Sequence, residues 1–231
     1  MTTNLSSNDR APVTRRRCLR SIVTGAMMTS IAIGFTAQAA APQAPATILV
    51  VGDSISAEYG IARGTGWVAL LQDKLEKSKT ANAYQVHNAS ISGDTTAGGR
   101  ARFGQLLTQH KPGIVVLELG ANDALRGLPL ASTQANLAAM VDSAQKAGAQ
   151  VLLLGMQVPP NYGTKYTTDF AQVFTTLARE KKTAVVPFLL HGVADVPNAE
   201  KNFQADRIHP LASAHPQLLA NVWPELQKLM K

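Results

Sequence analysis

Two segments of the chain hold residue types that could carry nucleophilic chemistry. Ser54 lies in the segment Gly52–Ser56, directly after a short apolar run, and His209 lies three residues after Asp206 near the end of the chain. At that spacing the carboxylate and the imidazole can touch. Asp206 could then fix the tautomer of His209 while His209 takes a proton from Ser54, as in a catalytic triad. Taken one at a time, a helix-capping serine and a surface histidine remain ordinary alternatives.

Two further segments offer donors that could hold a negatively charged oxygen. Gly93 follows the second predicted strand, and a glycine lets its backbone N–H approach a ligand closely. Asn122, in the segment Gly120–Asp123, offers a side-chain N–H₂ group. Two such donors near one serine could stabilise a developing oxyanion. Because Gly and Asn are also favoured in turns, turn formation is the simpler explanation of each one taken alone.

The elements that must position these residues alternate between strand and helix. Apolar runs predict strands at 46–52, 84–89, 113–119, 149–155 and 184–188, and helical spacing predicts helices at 67–77, 95–110, 132–146, 169–182 and 211–230. We expect Ser132 to cap the helix that it begins, and Pro216 and Pro224 to interrupt the last helix. The alternation predicts a flavodoxin-like three-layer α/β/α sandwich, with a five-stranded parallel sheet of order 2-1-3-4-5. Ligands bind beyond the carboxyl ends of such strands, where the four segments fall.

The N-terminal segment predicts export. Residues 1–39 hold five arginines and one acid, then an uncharged apolar stretch, and they end in Ala37-Gln38-Ala39, a pattern that signal peptidase accepts. We expect a signal peptide at 1–39 that is cleaved after Ala39, a linker at 40–46 and the folded domain at 47–231. The product would be periplasmic or secreted, with no stable membrane span. An uncleaved anchor is the alternative, and the export route stays open between the general secretory and twin-arginine pathways.

Composition excludes several classes of protein. The chain has 231 residues, of which 45% are hydrophobic, which suits one folded domain rather than a disordered chain. Most of the net charge of +7 belongs to residues 1–39, so we do not expect a nucleic-acid partner. The single cysteine, Cys18, also lies there, so the exported chain would have no disulfide and no thiolate chemistry.

The four segments together resemble the SGNH (GDSL-type) hydrolases. The resemblance rests on Gly52-Asp53-Ser54-Ile55-Ser56, Gly93, Gly120-Ala121-Asn122-Asp123 and Asp206-Arg207-Ile208-His209-Pro210, and it extends from Thr47 to about Leu229. It is nearest to the periplasmic multifunctional branch, whose members are acyl-CoA thioesterases, arylesterases and lysophospholipases. It implies Ser54 as nucleophile, His209 as base and Asp206 as the residue that orients it. The backbone N–H groups of Gly93 and Ser54 and the side chain of Asn122 would form the oxyanion hole.

The resemblance also implies a reaction and a substrate class. A small acyl ester or thioester would be hydrolysed through an acyl-serine intermediate, without a cofactor or a metal, and we expect a monomer. The segments 125–130 and 156–162 are apolar with Pro and Gly breaks, so they could line an acyl-chain groove. The sequence departs from the family pattern at Ile55, Glu58 and Arg207, where Leu, a small residue and Gly are usual. Substrate preference and pH profile could shift as a result.

Two other functions stay open. Asp53, Asp123 and Asp206 could together hold Mg²⁺ for phosphoryl hydrolysis. The glycine-rich segment Gly93–Gly99, before a predicted helix, could instead cradle a phosphate or a flavin in a non-catalytic flavodoxin-like binding module.

Overall fold

The computed structural model describes residues 46–78 and 83–230 of the chain. The predicted signal peptide at 1–39, with Cys18, lies outside these residues. The predicted linker also lies outside them, except for Ala46, which is the first residue of a strand rather than part of a linker. None of the helices in the described part of the chain combines the length and the apolar character that a membrane span needs.

Strands and helices alternate along the described chain. The strands are β1 (Ala46–Gly52), β2 (Tyr84–Asn88), β3 (Ile114–Glu118), β4 (Gln150–Leu154) and β5 (Ala184–Val186). The helices are α1 (Trp67–Glu76), α2 (Thr96–His110), α3 (Ala121–Leu125), α4 (Leu130–Lys146), α5 (Thr164–Lys181) and α6 (His215–Leu229). Short 3₁₀ turns lie at Pro160–Tyr162, Ala199–Asn202 and Ala212–Ala214.

All five strands run parallel in the order β2-β1-β3-β4-β5, so the predicted fold is confirmed. The register places Gly52 of β1 beside Glu118 of β3, and Val50 of β1 beside Asn88 of β2. The carboxyl ends of these three neighbouring strands therefore meet at one edge of the sheet. This is the edge at which the winding reverses and at which ligands bind in such folds.

Helices cover the sheet in two groups. Helix α1 packs against α6, and α4 packs against both α2 and α5. Strand β3 is buried along its whole length, and β1 is buried from its second residue onward. Strands covered on both faces have few positions that face water, which explains why these two apolar runs are nearly continuous rather than alternating.

Three predicted helix starts are wrong, those of α4, α5 and α6, and α6 begins at His215 rather than at Leu211. Helix α4 begins at Leu130, so Ser132 does not cap it; the Ser132 N–H instead donates to the Pro129 carbonyl at 2.9 Å within the first turn. Helix α5 begins at Thr164 rather than at Asp169. Its first turns are poor in helix formers, but they contain a Lys165–Asp169 ion pair at 2.6 Å with helical i, i+4 spacing.

The two prolines of the last helix do not interrupt it. Helix α6 begins at His215, and Pro216 lies in its first turn, where the missing N–H has no partner to lose. Pro224 lies inside the helix, which continues to Leu229. Since Pro224 and Ala220 are both exposed, the carbonyl that lacks its usual donor lies on the exposed side of the helix. Helix α3, of only five residues, was not predicted.

Candidate active site

The turn after β1 carries Ser54 and is packed tightly against the end of β3. A Cβ atom on Gly52 would lie 2.7 Å from Glu118 Oε2 and 2.8 Å from Ser56 Oγ, so only glycine fits there. The Asp53 side chain folds back under the turn, and its Oδ1 accepts a hydrogen bond from the Ile55 N–H at 3.1 Å. Burial raises the pKa of Asp53 to about 6, although the Ile55 N–H lowers it in part.

The structure brings Ser54, His209 and Asp206 together. His209 Nε2 lies 2.8 Å from Ser54 Oγ, and His209 Nδ1 lies 2.6 Å from Asp206 Oδ2. The ring of Tyr59 lies against the imidazole, with the two ring centroids 4.4 Å apart. This connected arrangement can pass a proton from the serine hydroxyl to the imidazole while the carboxylate stabilises the imidazolium that forms.

Asp206 is held as an anion by donors from its own turn. Its Oδ1 accepts hydrogen bonds from the N–H groups of Ile208 at 2.9 Å and of His209 at 3.0 Å. Partial burial raises its pKa, but the bonds from the His209 ring and from these two N–H groups outweigh that effect and bring the pKa down to about 2.

The segment that presents His209 is a turn rather than a helix. Arg207 has a φ of +59°, in the left-handed region, which accounts for glycine being usual at this position in the family pattern. The turn is closed by a bridge between Phe203 and Pro210 and by a hydrogen bond from the Gln204 N–H to the His209 carbonyl at 2.8 Å. The imidazole is therefore fixed by backbone pairing on both sides of its turn.

The predicted oxyanion donors are in two different hydrogen-bonding states. Gly93 has a φ of +78°, and its N–H and that of Ser54 have no hydrogen-bond acceptor within residues 46–78 and 83–230. Asn122, on α3, already donates from Nδ2 to Asp53 Oδ2 at 3.2 Å and to the Asp94 carbonyl at 3.0 Å. The two backbone groups are therefore open to a ligand, whereas the amide must release one bond to donate to an oxyanion.

The carboxylates of the phosphoryl-transfer alternative do not come together. Asp123 is buried and is bonded to the Thr96 N–H at 2.8 Å, to the Thr96 hydroxyl and to the Thr133 hydroxyl at 3.3 Å. Its role is to tie α3 to α2 and α4. The described part of the chain contains no group of three or more His, Cys, Asp or Glu side chains that could hold a metal ion. The described residues therefore do not support the alternative in which Asp53, Asp123 and Asp206 together hold Mg²⁺.

The glycine-rich segment before α2 has a structural explanation as well. Thr95 caps the helix, because its hydroxyl accepts from the Gly98 N–H at 3.2 Å. Asp94 forms an ion pair with Arg102 at 2.8 Å, one to two turns into the same helix. A phosphate cradle would need these helix-start N–H groups free, so the segment does not support the binding-module alternative.

A cavity of about 830 Å³ has Ser54 in its wall. Its walls combine the catalytic edge with apolar side chains, among them Ile55, Leu125, Met156, Val158, Pro159, Ala171, Phe188, Leu190, Ala194 and Phe203. Of the predicted groove segments, 156–159 and Leu125 line it. The sequence did not predict the part of the wall formed by α5 and by the segment after β5, because these residues are distant in sequence from the two predicted groove segments. Besides Asp53 and His209, which lie near Ser54, the charged residues in the wall are Asp195, Glu200 and Arg207.

Two residues of the site were not found from the sequence. Glu118 lies directly beneath the Ser54 turn, and Arg126 Nη2 donates to the Gly93 carbonyl at 2.9 Å. The signal for Glu118 was an acid at the end of the apolar run 114–118, where a buried strand needs no charge. For Arg126 no signal is visible in the sequence.

A parallel sheet of this order, with serine, histidine and aspartate joined at its carboxyl edge, defines an SGNH-type hydrolase. Residues 50–215 match the model of the GDSL-like Lipase/Acylhydrolase family, and the chain belongs to that family. It is an enzyme of the hydrolase class that acts on ester bonds.

Characterised relatives share most of the chain. Esterase TesA of Pseudomonas aeruginosa is 52% identical over 200 residues, covering 87% of this chain and 96% of its own. Thioesterase 1/protease 1/lysophospholipase L1 of Escherichia coli K12 is 39% identical over 184 residues, covering 80% and 85%. The crystal structure of the psychrotrophic esterase EstA from Pseudoalteromonas sp., inhibited by monoethylphosphonate, has a TM-score of 0.72 at 38% identity. It covers 79% of this chain and 97% of its own.

Proposed function

We propose that this protein is a serine hydrolase that cleaves carboxylic esters and thioesters through an acyl-serine intermediate. The observation that carries the proposal is the continuous hydrogen-bonded path Ser54–His209–Asp206, with distances of 2.8 Å and 2.6 Å. The first distance is within hydrogen-bond reach of a nucleophile and its base, and the second is within reach of that base and the carboxylate that orients it.

The first half of the reaction forms the acyl-enzyme. Ser54 Oγ attacks the carbonyl carbon while its proton passes to His209 Nε2, and the carbonyl oxygen becomes an oxyanion. The N–H groups of Ser54 and Gly93 bind that oxygen, joined by Asn122 Nδ2 once it leaves one of its resting partners. The tetrahedral intermediate then collapses, and His209 gives its proton to the departing oxygen or sulfur.

The second half repeats these steps with water. His209 takes a proton from a water molecule, whose oxygen attacks the acyl carbon, and Ser54 Oγ leaves with the proton returned by His209. Asp206 stays ionised throughout and stabilises the imidazolium in both halves. No step needs a metal ion, so a chelator such as EDTA is expected to leave the rate unchanged.

The substrate class follows from the cavity. Its largely apolar walls suit an acyl chain, and its volume of about 830 Å³ leaves room for a chain of medium to long length. The names of the relatives include thioesterase and lysophospholipase, which supports acyl thioesters and lysophospholipids as substrates here, with aryl esters as convenient reporters. The leader predicted at 1–39 supports a site of action outside the cytoplasm.

Hydrolysis of p-nitrophenyl esters from acetyl to palmitoyl tests the proposal. We expect Ser54→Ala to lose on the order of 10⁶ in kcat, the size of effect seen when a nucleophilic serine is removed. Ser132→Ala, at an exposed position on α4, is the matched control and should keep the wild-type rate. Equal rates in Ser54→Ala and wild type would overturn the proposal.

A further inference from the structure

Glu118 connects both sides of the nucleophile through one oxygen atom. It is the last residue of β3 and is fully buried. Its Oε2 accepts a hydrogen bond from the Asp53 N–H at 3.2 Å and another from the Ser56 hydroxyl at 2.8 Å. These donors belong to the residue before Ser54 and to the second residue after it, so the carboxyl group spans the turn that carries the nucleophile.

The direction of these hydrogen bonds is set by a third partner. Trp67 Nε1 donates to Ser56 Oγ at 3.1 Å, and an indole N–H is only a donor. The Ser56 hydroxyl accepts from Trp67 and therefore uses its own hydrogen on Glu118. Glu118 Oε2 thus receives two hydrogens, so the proton of a neutral Glu118 would have to lie on Oε1.

The other oxygen of Glu118 has different surroundings. Oε1 is buried and makes no hydrogen bond of 3.5 Å or less to the residues that the structure describes. The charged group that acts on Glu118 is the carboxyl of Asp53, and side-chain hydrogen bonding with that carboxyl also raises the pKa of Glu118 and lowers that of Asp53. An ionised carboxylate in this position would be a buried charge without a cation. Burial, followed by the charge of Asp53, accordingly raises the pKa of Glu118 well above its usual value.

We propose that Glu118 is a positioning residue that, as a neutral carboxylic acid, fixes the Ser54 turn through the Asp53 N–H and the Ser56 hydroxyl. Its Oε1 carries the proton, and its Oε2 holds the turn. The proposal rests on the function proposed above, since it concerns the placement of Ser54 against His209. Glu118 touches no substrate, because it lies beneath the turn and away from the cavity walls.

Removing the acceptor should act on turnover rather than on substrate binding. Without Oε2, the Asp53 N–H and the Ser56 hydroxyl lose their partner, and the turn can shift relative to His209. The cavity that binds the acyl chain is not altered. Misplacement of a reacting group by about 1 Å costs on the order of 10²-fold in rate.

Glu118→Gln and Glu118→Leu form the matched pair that tests this inference. Glutamine keeps a carbonyl oxygen in the place of Oε2 and is neutral, so we expect kcat and KM close to those of wild type and an unchanged pH profile. Leucine has no acceptor, so we expect kcat to fall by about 10-fold to 10²-fold with little change in KM. If kcat falls as far in Glu118→Gln as in Glu118→Leu, the inference is overturned, because the result would mean that a charge is needed at this position. A wild-type kcat in Glu118→Leu would also overturn it.

Two further measurements keep the inference testable if Glu118→Leu does not fold. Ser56→Ala removes one of the two hydrogen bonds to Oε2 and should lower kcat without changing KM. Infrared difference spectra of wild type against Glu118→Gln should contain the C=O stretch of a protonated carboxyl group at pH 8, and absence of that band would contradict the neutral state.

Ser54→Ala, measured alongside, separates the two proposals. If Ser54→Ala is inactive and Glu118→Leu keeps its kcat, only the role of Glu118 fails. If Ser54→Ala is active, the function proposed above fails, and the role of Glu118 fails with it.

Discussion

Two carboxyl groups lie on opposite sides of Ser54, and their surroundings favour opposite charge states. The Asp206 side chain is 37% exposed and receives hydrogen bonds on both oxygens, from the His209 ring and from two backbone N–H groups. Glu118 is fully buried and receives hydrogen bonds on one oxygen only. The pKa of Asp206 falls to about 2, whereas that of Glu118 rises well above its usual value.

This difference shows that hydrogen-bond donors and burial, rather than the choice between Asp and Glu, determine whether a carboxyl group is charged. A charge is useful at Asp206, where a positive imidazolium forms during the reaction. Beneath Ser54, the proposed nucleophile, the proposed mechanism forms no cation, so a neutral acceptor would be sufficient to hold the turn. Burial also raises the pKa of the neighbouring Asp53, to about 6, and the hydrogen bond from the Ile55 N–H partly offsets that effect.

The same chemical change at the two carboxyl groups should give the largest contrast. Asp206→Asn is expected to lower kcat by about 10⁴, because the amide cannot hold the His209 tautomer that accepts the serine proton. Glu118→Gln is expected to leave kcat near that of wild type. Initial rates on one p-nitrophenyl ester measure both, with circular dichroism as the control for folding. Similar losses of kcat in the two variants would contradict the difference proposed between the two carboxyl groups.

Asn122→Ala should have the next largest effect. Loss of one oxyanion donor costs about 10² to 10³ in kcat, while the fold stays intact because the amide lies at the surface of the cavity. Asn136→Ala, which removes an asparagine on α4 bonded to Thr96, is the control and should keep its rate. If Asn122→Ala turns over as fast as Asn136→Ala, Asn122 is not an oxyanion donor, and its bonds to Asp53 and Asp94 are its whole role.

The ionised state of Asp206 predicts how stability depends on pH. Its pKa is about 2 in the folded protein and 3.8 for the free side chain, so ionisation favours the folded state. This contribution is fully present above about pH 5 and is lost as pH falls through 3.8 towards 2. The difference in Tm between wild type and Asp206→Asn should therefore shrink between pH 5 and pH 2. A difference that grows over that range would mean that the carboxyl is not ionised in the fold.

Two left-handed residues near the site should respond in opposite directions to glycine. Arg207 has a φ of +59°, and its guanidinium makes no hydrogen bond to any described residue, so Arg207→Gly should stabilise the fold by up to about 1 kcal/mol. Glu58 has a φ of +60°, but its Oε1 accepts from the N–H groups of Gly64 and Gly66 at 2.9 Å and 2.7 Å. Glu58→Gly should therefore destabilise it. Urea unfolding measures both changes, and a shift of the same sign in both variants would contradict the different roles of these two side chains.

The fold was largely predictable because its central strands are buried on both faces. Strand β1 was predicted with its observed bounds, and β3 to within one residue at each end, since a continuous apolar run leaves little choice. Helix α3 could not be predicted, since it has five residues and follows Gly120 at a φ of +122°. The start of α5 is set by tertiary contacts, among them the hydrogen bond from the Tyr166 hydroxyl to the Ala124 carbonyl at 3.2 Å.

The sequence pointed to the residues of the candidate site, but not to the contacts that hold these residues in place. Ser54, His209 and Asp206 stand in segments whose positions follow from strand order, and the structure brings them together. The role of Glu118 depends on the register that sets Gly52 beside it, and the sequence contains no information on register between parallel strands. The resting bonds of Asn122 to Asp53 and Asp94 likewise depend on three chain segments that meet only in the fold.

Covalent labelling tests the central claim, that Ser54 is the nucleophile, most directly. An alkyl fluorophosphonate reacts with an activated serine, and the intact mass followed by peptide mapping locates the adduct. We predict one adduct per chain, on the peptide that contains Ser54, formed in parallel with loss of esterase activity and absent in both Ser54→Ala and His209→Ala. Inactivation with the adduct on another residue, or labelling of Ser54→Ala at the wild-type rate, would contradict that claim.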